Sequence, residues 1–254
     1  MKNLPASLAL LLALAAPGAS ASQGSEAEQL RGIVSELIQD NAEFARTHKA
    51  GYFKPFAEQQ YPRATVVSCA DARGHTQMLD KTPDGDLYMV RNIGNQISTA
   101  EGSVEYGVRH LHTPLLIIVG HVACDAIKAA QGDYRKESEA IRRELASIKL
   151  PLREPEHDEN EAWQRGVEAN VDHQVAYALK KFAPEVKAGK LTVIGAIYDF
   201  QNAMQQGQGR LVITNVDGAT DIGGLLARLM QITGSGAALQ KKVAGEPAVY
   251  KTGN

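Results

Sequence analysis

Apolar and polar positions alternate along this chain in two distinct rhythms. Over residues 25–48, Leu30, Ile33, Val34, Leu37, Ile38 and Phe44 recur at three- and four-residue steps, which predicts an amphipathic helix. Ser25 followed three residues later by Glu28 is a capping-box start for it. Continuous apolar runs take over further on. "ATVVSC" (64–69), "DLYMVRN" (86–92), "TPLLIIVG" (113–120) and "LTVIGAIYD" (191–199) read as strands, and "GRLVITNV" (209–216) as a strand able to pair with the last of these. Unbroken apolar runs suit strands covered on both faces. Between them, 98–111 reads as a helix capped by Ser98 or Thr99, and 123–130 as the start of another. The stretch 131–162 begins charged and helical and ends as an acidic connector. The tail after Asp221 is weakly patterned. Strand–helix alternation of this kind predicts an α/β fold with a mainly parallel central sheet flanked by helices.

Composition narrows the class little. The chain has 254 residues, 44% hydrophobic and 22% charged, with a net charge of -2. This is the composition of an ordinary globular domain, and no basic run points to nucleic acid. The N-terminus changes the picture more. Lys2, the apolar stretch 8–16 and "ASA" at 19–21 together predict a signal peptide cleaved after Ala21. The mature chain, 22–254, is then one domain delivered to the periplasm or secreted, with no membrane span.

Export permits disulfides, and the chain has two cysteines, so Cys69 and Cys124 could form a lone bridge. Their neighbours suggest other chemistry. Cys69, Asp71 and Arg73 follow one another at steps of two, at the end of a predicted strand. His121 and Cys124 stand three residues apart where another strand gives way to a helix, a spacing expected to place both on one side of the first helical turn. In a parallel sheet the C-terminal strand ends open onto one crevice, where these groups can meet. Two thiolates and an imidazole suit Zn²⁺, and three protein ligands leave a fourth position, the mark of a catalytic site. Asp71 is the neighbour of that position, and Arg73 can hold its carboxylate with paired hydrogen bonds.

These segments resemble the β-class carbonic anhydrases, which carry a Cys-x-Asp-x-Arg segment and a later His-x-x-Cys segment. Here those are Cys69-Ala70-Asp71-Ala72-Arg73 and His121-Val122-Ala123-Cys124. "LIQDNAEF", "EQQYPRATVVSCADAR", "PDGDLYMVRNIGN", "SVEYGVRHLHTPLLIIVGH" and "GKLTVIGAIYD" are similar to family stretches in the same order, so the resemblance spans roughly residues 27–217. It implies reversible hydration of CO2 to bicarbonate and a proton. One Zn²⁺ per chain would be held by Cys69, His121 and Cys124, with Asp71 as a further ligand in a closed state and Asp71 paired with Arg73 in the open one. It also implies substrate contacts from Gln60, Tyr88 and Tyr106. The expected assembly is a homodimer, or a tetramer, in which the helix at 25–48 lies across the partner. Arg91 and Asn92 are expected at the interface and the wall of the site. A bicarbonate site that some members build with a tryptophan three residues before the first ligand is not expected, because Val66 stands there.

The chain departs from the family pattern in several places. Ala70 and Ala72 replace serines, Gly74 and His75 replace Val-Pro, and Asp125 replaces a glycine beside the second thiolate. Two other readings stay open on sequence grounds. One is hydrolysis of carbonyl sulfide or carbon disulfide on the same fold. The other is an exported zinc- or anion-binding protein without catalysis.

Overall fold

The computed structural model describes residues 25–151 and 158–234. The expected signal peptide and its cleavage site lie outside the described residues. Among the described residues, no helix is long and apolar enough to cross a membrane.

The chain divides into two units, Met1–Lys54 and Pro55–Asn254. The first contains α1 (Glu26–Thr47) and a short α2 (Ala50–Phe53). The capping box forms as its residues predict: Ser25 Oγ accepts from the Glu28 N–H, and the Glu28 carboxylate accepts from the Ser25 N–H at 2.7 Å. No residue of α1 is buried.

The second unit is built on five strands: β1 (Ala64–Cys69), β2 (Leu87–Asn92), β3 (Leu115–His121), β4 (Thr192–Asp199) and β5 (Arg210–Val216). Their order in the sheet is β2-β1-β3-β4-β5. All neighbours are parallel except β4 and β5, which are antiparallel. The expected mainly parallel sheet is therefore present. Its helices are α3 (Glu101–Glu105), α4 (Asp125–Gln131), α5 (Glu139–Ser147), α6 (Glu159–Lys181), α7 (Ala183–Lys187) and α8 (Ile222–Thr233).

Three local expectations are corrected. The helix expected over 98–111 starts at Glu101, with Ala100 in the capping position and no side-chain cap, and its last five residues, Tyr106–His110, form a π-helical turn. Thr99 is not the cap; its hydroxyl accepts from Asn92 Nδ2 at 2.9 Å. The tail after Asp221 is ordered at its start, because the Asp221 carboxylate caps α8 through the Gly224 N–H at 2.8 Å and Gly234, at φ 65°, ends the helix in a left-handed turn. The acidic connector ends at Asp158, the N-cap of α6, the longest described helix of this unit at 23 residues.

Helix α6 escaped the periodicity reading because its inner face mixes residue types. Val167, Val171, Val175 and Ala178 are buried there, but so are Gly166, Asn170 and Gln174. It lies close on the sheet, since a Cβ on Gly120 would come within 2.7 Å of Val171 and one on Gly195 within 2.7 Å of Val171 and 2.9 Å of Val175. Glycine is needed at both points for close approach of helix and strand, not for backbone conformation. Gly195→Ala is accordingly expected to destabilise the protein by about 1–3 kcal/mol, the usual cost of overpacking, measured by denaturant unfolding. An unchanged midpoint would show that α6 can lift off the sheet freely.

Candidate metal centre

β1 and β3 are neighbours, with Ser68 opposite Val119. Their parallel alignment brings Cys69, the last residue of β1, and His121, the last of β3, to the same edge of the sheet. Cys124 arrives by a different route from the one its spacing suggested. His121 is still strand and Cys124 is the N-cap of α4, so the two do not share a helical turn. Between them the chain reverses through Ala123 at φ 52°, a strained left-handed residue, while the Val122 N–H bonds the Tyr198 carbonyl at 3.1 Å.

The result is a ligand set. Cys69, His121 and Cys124 are all buried, and their donor atoms lie within 4.8 Å of one another. The sulfurs stand 3.9 Å apart and both cysteines are free, which excludes a disulfide here. Two Zn–S bonds of about 2.3 Å at a tetrahedral angle would set two sulfurs about 3.8 Å apart. The histidine is poised likewise. His121 Nδ1 donates to the Val122 carbonyl at 2.9 Å, which fixes the tautomer and leaves the Nε2 lone pair directed at the sulfurs. That buried Nε2 has no hydrogen-bond partner, a costly state unless something binds it. The residues therefore fit a Zn²⁺ ion on both sulfur spacing and an orphaned nitrogen.

Electrostatics point the same way. The Cys69 thiol is pushed down to about 4, first by its hydrogen bond with Cys124 and against the effect of burial, with help from His121 and the N–H groups of Gly94 and Asp71. The same shared proton, and burial, push the Cys124 thiol up. For His121, burial disfavours the cation, but the nearby Cys69 sulfur outweighs it and holds the ring above its ordinary value. The pocket thus favours positive charge at its centre.

Asp71 and Arg73 form the expected pair. Asp71 Oδ1 accepts from the Arg73 backbone N–H at 2.9 Å and from Nε at 2.8 Å, and Oδ2 accepts from Nη2 at 2.6 Å. Arg73 Nη2 also donates to the Ala123 carbonyl at 2.9 Å, so one guanidinium spans both ligand segments. Asp71 Oδ2 lies 3.8 Å from His121 Nε2, beside the ligand set. Asp125 is 3.6 Å from Arg73 Nη2 with its side chain 81% exposed, an outer companion to the guanidinium. Arg91 rivets the loop after Cys69 through the carbonyls of Cys69, Asp71 and Gly74 at 3.0, 2.8 and 2.8 Å.

The Arg73 side-chain hydrogen bonds hold the Asp71 carboxyl well below the usual carboxylate range. Its folded pKa lies below an unfolded value of about 3.9. The stabilisation it confers is therefore complete above that pH and is lost as pH falls through the folded value. The stability difference between the parent and Asp71→Asn should stay constant from pH 8 to about 5 and shrink only below about 4. A difference that already shrinks between pH 8 and 6 would contradict this.

Two residues near the site gave no signal in the sequence. Phe200 lies just past the end of β4, its ring 5.0 Å from the Arg73 guanidinium carbon and 6.1 Å from the His121 ring, an apolar wall touching both halves of the site. The buried Asp199 carboxylate shapes that corner by accepting from the N–H groups of Gln201, Ala203 and Met204. Trp163, on α6, donates from Nε1 to the Cys124 carbonyl at 2.7 Å.

The expected substrate contacts are not gathered here within one chain. Tyr88 pairs with Thr65, four residues before Cys69, about 13 Å back along the strand at about 3.3 Å per residue. Its ring lies 5.9 Å from that of Tyr106, at that same end of the sheet: a Cβ on Gly107 would meet Thr65 at 2.1 Å and Tyr88 at 2.9 Å. Gln60 is exposed in the segment leading into β1.

The family model for carbonic anhydrases matches residues 64–205, more than half of the chain and the whole of the ligand set. Carbonic anhydrase 2 of Mycobacterium tuberculosis is 29% identical over 165 residues, covering 61% of this chain and 76% of that one. A carbonic anhydrase of Mycolicibacterium smegmatis is 40% identical over 73 residues, 28% of this chain and 35% of that one. Among solved structures, the Coccomyxa β-carbonic anhydrase in complex with acetazolamide superposes with a TM-score of 0.63 at 23% identity, covering 79% of this chain and 96% of that one. A tetrameric β-carbonic anhydrase from Sordaria macrospora gives 0.60 at 21% identity, covering 73% and 96%. With the ligand set inside the matched segment and the sheet shared with these neighbours, the chain belongs to the carbonic anhydrase family and has the β-class fold.

Proposed function

We propose that this protein is a zinc-dependent carbonic anhydrase that catalyses the reversible hydration of CO2 to bicarbonate and a proton. The observation that carries the reading is the buried set of two unbonded thiols and one unpartnered imidazole nitrogen, all donor atoms within 4.8 Å. Zn²⁺ held there supplies a Lewis acid that makes hydroxide available near neutral pH. Cys69, Cys124 and His121 Nε2 hold the ion. Asp71 sits beside them as a permanent carboxylate, since Arg73 keeps its proton affinity low. Its role is to accept a hydrogen bond and orient the nucleophile, not to store a proton. Arg73 keeps that carboxylate turned away from the ligand position through the hydrogen bonds described above. Phe200 offers a dry wall suited to CO2, which is apolar overall.

Gln60, Tyr88 and Tyr106 enter this reading as substrate contacts supplied across an interface. On the β1 register Tyr88 is too far back to serve the ligands of its own chain, which supports its presentation by a second copy. We therefore propose a homodimer, with a tetramer as its doubled form. The apolar face of α1 supports it: Leu30, Ile33, Leu37 and Ile38 are each more than half exposed. The signal-peptide pattern adds export to the periplasm or beyond.

The test is CO2 hydration by the purified mature chain, run beside sulfide release from carbonyl sulfide and carbon disulfide, with metal content and molecular mass in solution. Rapid CO2 hydration with near one zinc per chain in a dimer or tetramer is expected. Sulfide release without CO2 hydration would assign the hydrolase reading. Bound zinc without either activity would assign a binding protein.

A further inference from the structure

Four amide side chains of this protein, Asn95, Gln96, Asn170 and Gln174, are 2% exposed or less. Burying an amide costs free energy unless its donors and acceptors are met. Three of the four meet one another in a ladder between α6 and the loop that follows β2. Gln96 Nε2 donates to Asn170 Oδ1 at 2.7 Å, and Gln174 Nε2 donates to Gln96 Oε1 at 2.9 Å. Gln174 Oε1 accepts the Ile97 N–H at 2.9 Å.

The ladder ends on the metal centre by two routes. Gly94 is the first. Its carbonyl accepts from Gln96 Nε2 at 2.6 Å and from Asn170 Nδ2 at 2.9 Å. Its φ is 74°, a conformation that strains any side chain, and a Cβ there would push Ile148 Cδ1 from 2.8 Å. Held in this way, the Gly94 N–H faces the Cys69 sulfur. Asn92 is the second route. It is the register partner of Cys69, and its carbonyl accepts the N–H of Ala70 at 2.9 Å. Its side chain is clamped to the Gln96 backbone in both directions, each at 2.7 Å. Helix α6 also reaches the backbone of the other cysteine, through the Trp163 bond to the Cys124 carbonyl.

We propose that Gln96, Asn170 and Gln174 are positioning residues for the metal centre. They fix the Gly94 peptide and Asn92 against Cys69, and so set how tightly the chain retains its ion. None of them touches the reacting atoms. Groups that orient ligands from behind govern metal affinity in just this way, through the direction and basicity of the ligand atom. The inference rests on the zinc reading above.

The test compares zinc-loaded parent protein with Asn170→Leu and Asn170→Ser, which remove the donor to Gly94. Val175→Ala, a core truncation one residue past Gln174, controls for lost stability. Zinc transfer to a chromogenic chelator is followed in folded protein, and the thiolate-to-metal charge-transfer band is recorded after cobalt substitution. Zinc retention in the Asn170 variants should weaken about 10–100-fold and the band should shift. Val175→Ala should lower the unfolding midpoint and leave both readouts at parent values. If Asn170→Leu does not fold, Asn170→Ser, smaller and still polar, carries the same expectation. Parent-like zinc retention in a folded Asn170 variant, or equal loss in Val175→Ala, overturns the proposal and leaves the zinc reading intact. A parent that binds no zinc overturns both.

Discussion

Cys69→Ser is expected to lower zinc content from near one ion per chain to a small fraction, and to cut CO2 hydration by at least about 100-fold, beyond the usual range for losing an outer partner of a ligand. The argument is one of ligand chemistry. Serine replaces a thiol whose ionisation the neighbouring Cys124 favours with a hydroxyl that does not ionise at neutral pH. The remaining pair, Cys124 and His121, cannot enclose the ion. Cys69 is 7% exposed at the end of a strand, and serine is nearly its isostere, so the sheet should survive the change. Metal analysis, CO2 hydration and far-ultraviolet circular dichroism on one preparation decide the matter. Parent-level zinc with lost activity would remove Cys69 from the ligand set. Parent-level activity would remove zinc from the mechanism.

Arg73→Ala should separate metal from activity. The variant keeps all three ligands but strips Asp71 of its side-chain hydrogen bonds to the guanidinium. A carboxylate 14% exposed, left without its counter-charge, seeks the nearest positive centre. Its Oδ2 is already 3.8 Å from His121 Nε2, at the edge of the ligand set. Zinc should be retained at parent level while kcat/KM falls about 100-fold, the cost of misplacing an orienting group by about 1 Å. Paired measurement of zinc content and kcat/KM checks this. Zinc lost in proportion to activity would show that Arg73 serves retention, through its hold on Ala123. Unchanged kcat/KM would show that the Asp71 carboxylate needs no guanidinium to stay out of the way.

The sheet and the ligand types were legible because each rests on short-range pattern. The runs 64–69, 86–92, 113–120, 191–199 and 209–216 all became strands within a residue or two, since apolar β-branched stretches have few other uses in a buried sheet. Cys69, His121 and Cys124 were legible as a candidate ligand set because thiolate, imidazole and strand-end placement each point to one chemistry. Helix α6 was not legible, because its buried Asn170 and Gln174 look like solvent residues until the loop they bind is in place. Phe200 was hidden too: one aromatic past a strand says nothing until a guanidinium lies across it.

Sequence alone thus determined the residues of the candidate metal centre, the strands that carry them and the resemblance to the family to which the chain belongs. Only the tertiary structure decided how the ligands meet. Ala123 turns at φ 52° so that a strand residue and a helix cap converge, and His121 presents Nε2 because its Nδ1–H donates to the Val122 carbonyl. It also decided that Tyr88 stands at the far end of the strand from Cys69. The physical reason is range. Backbone propensity and residue chemistry act over a few neighbours and are written into the local sequence. The meeting of two thiols or the partner of a buried amide depends on groups 50 to 80 residues away, which come together only when the sheet has formed.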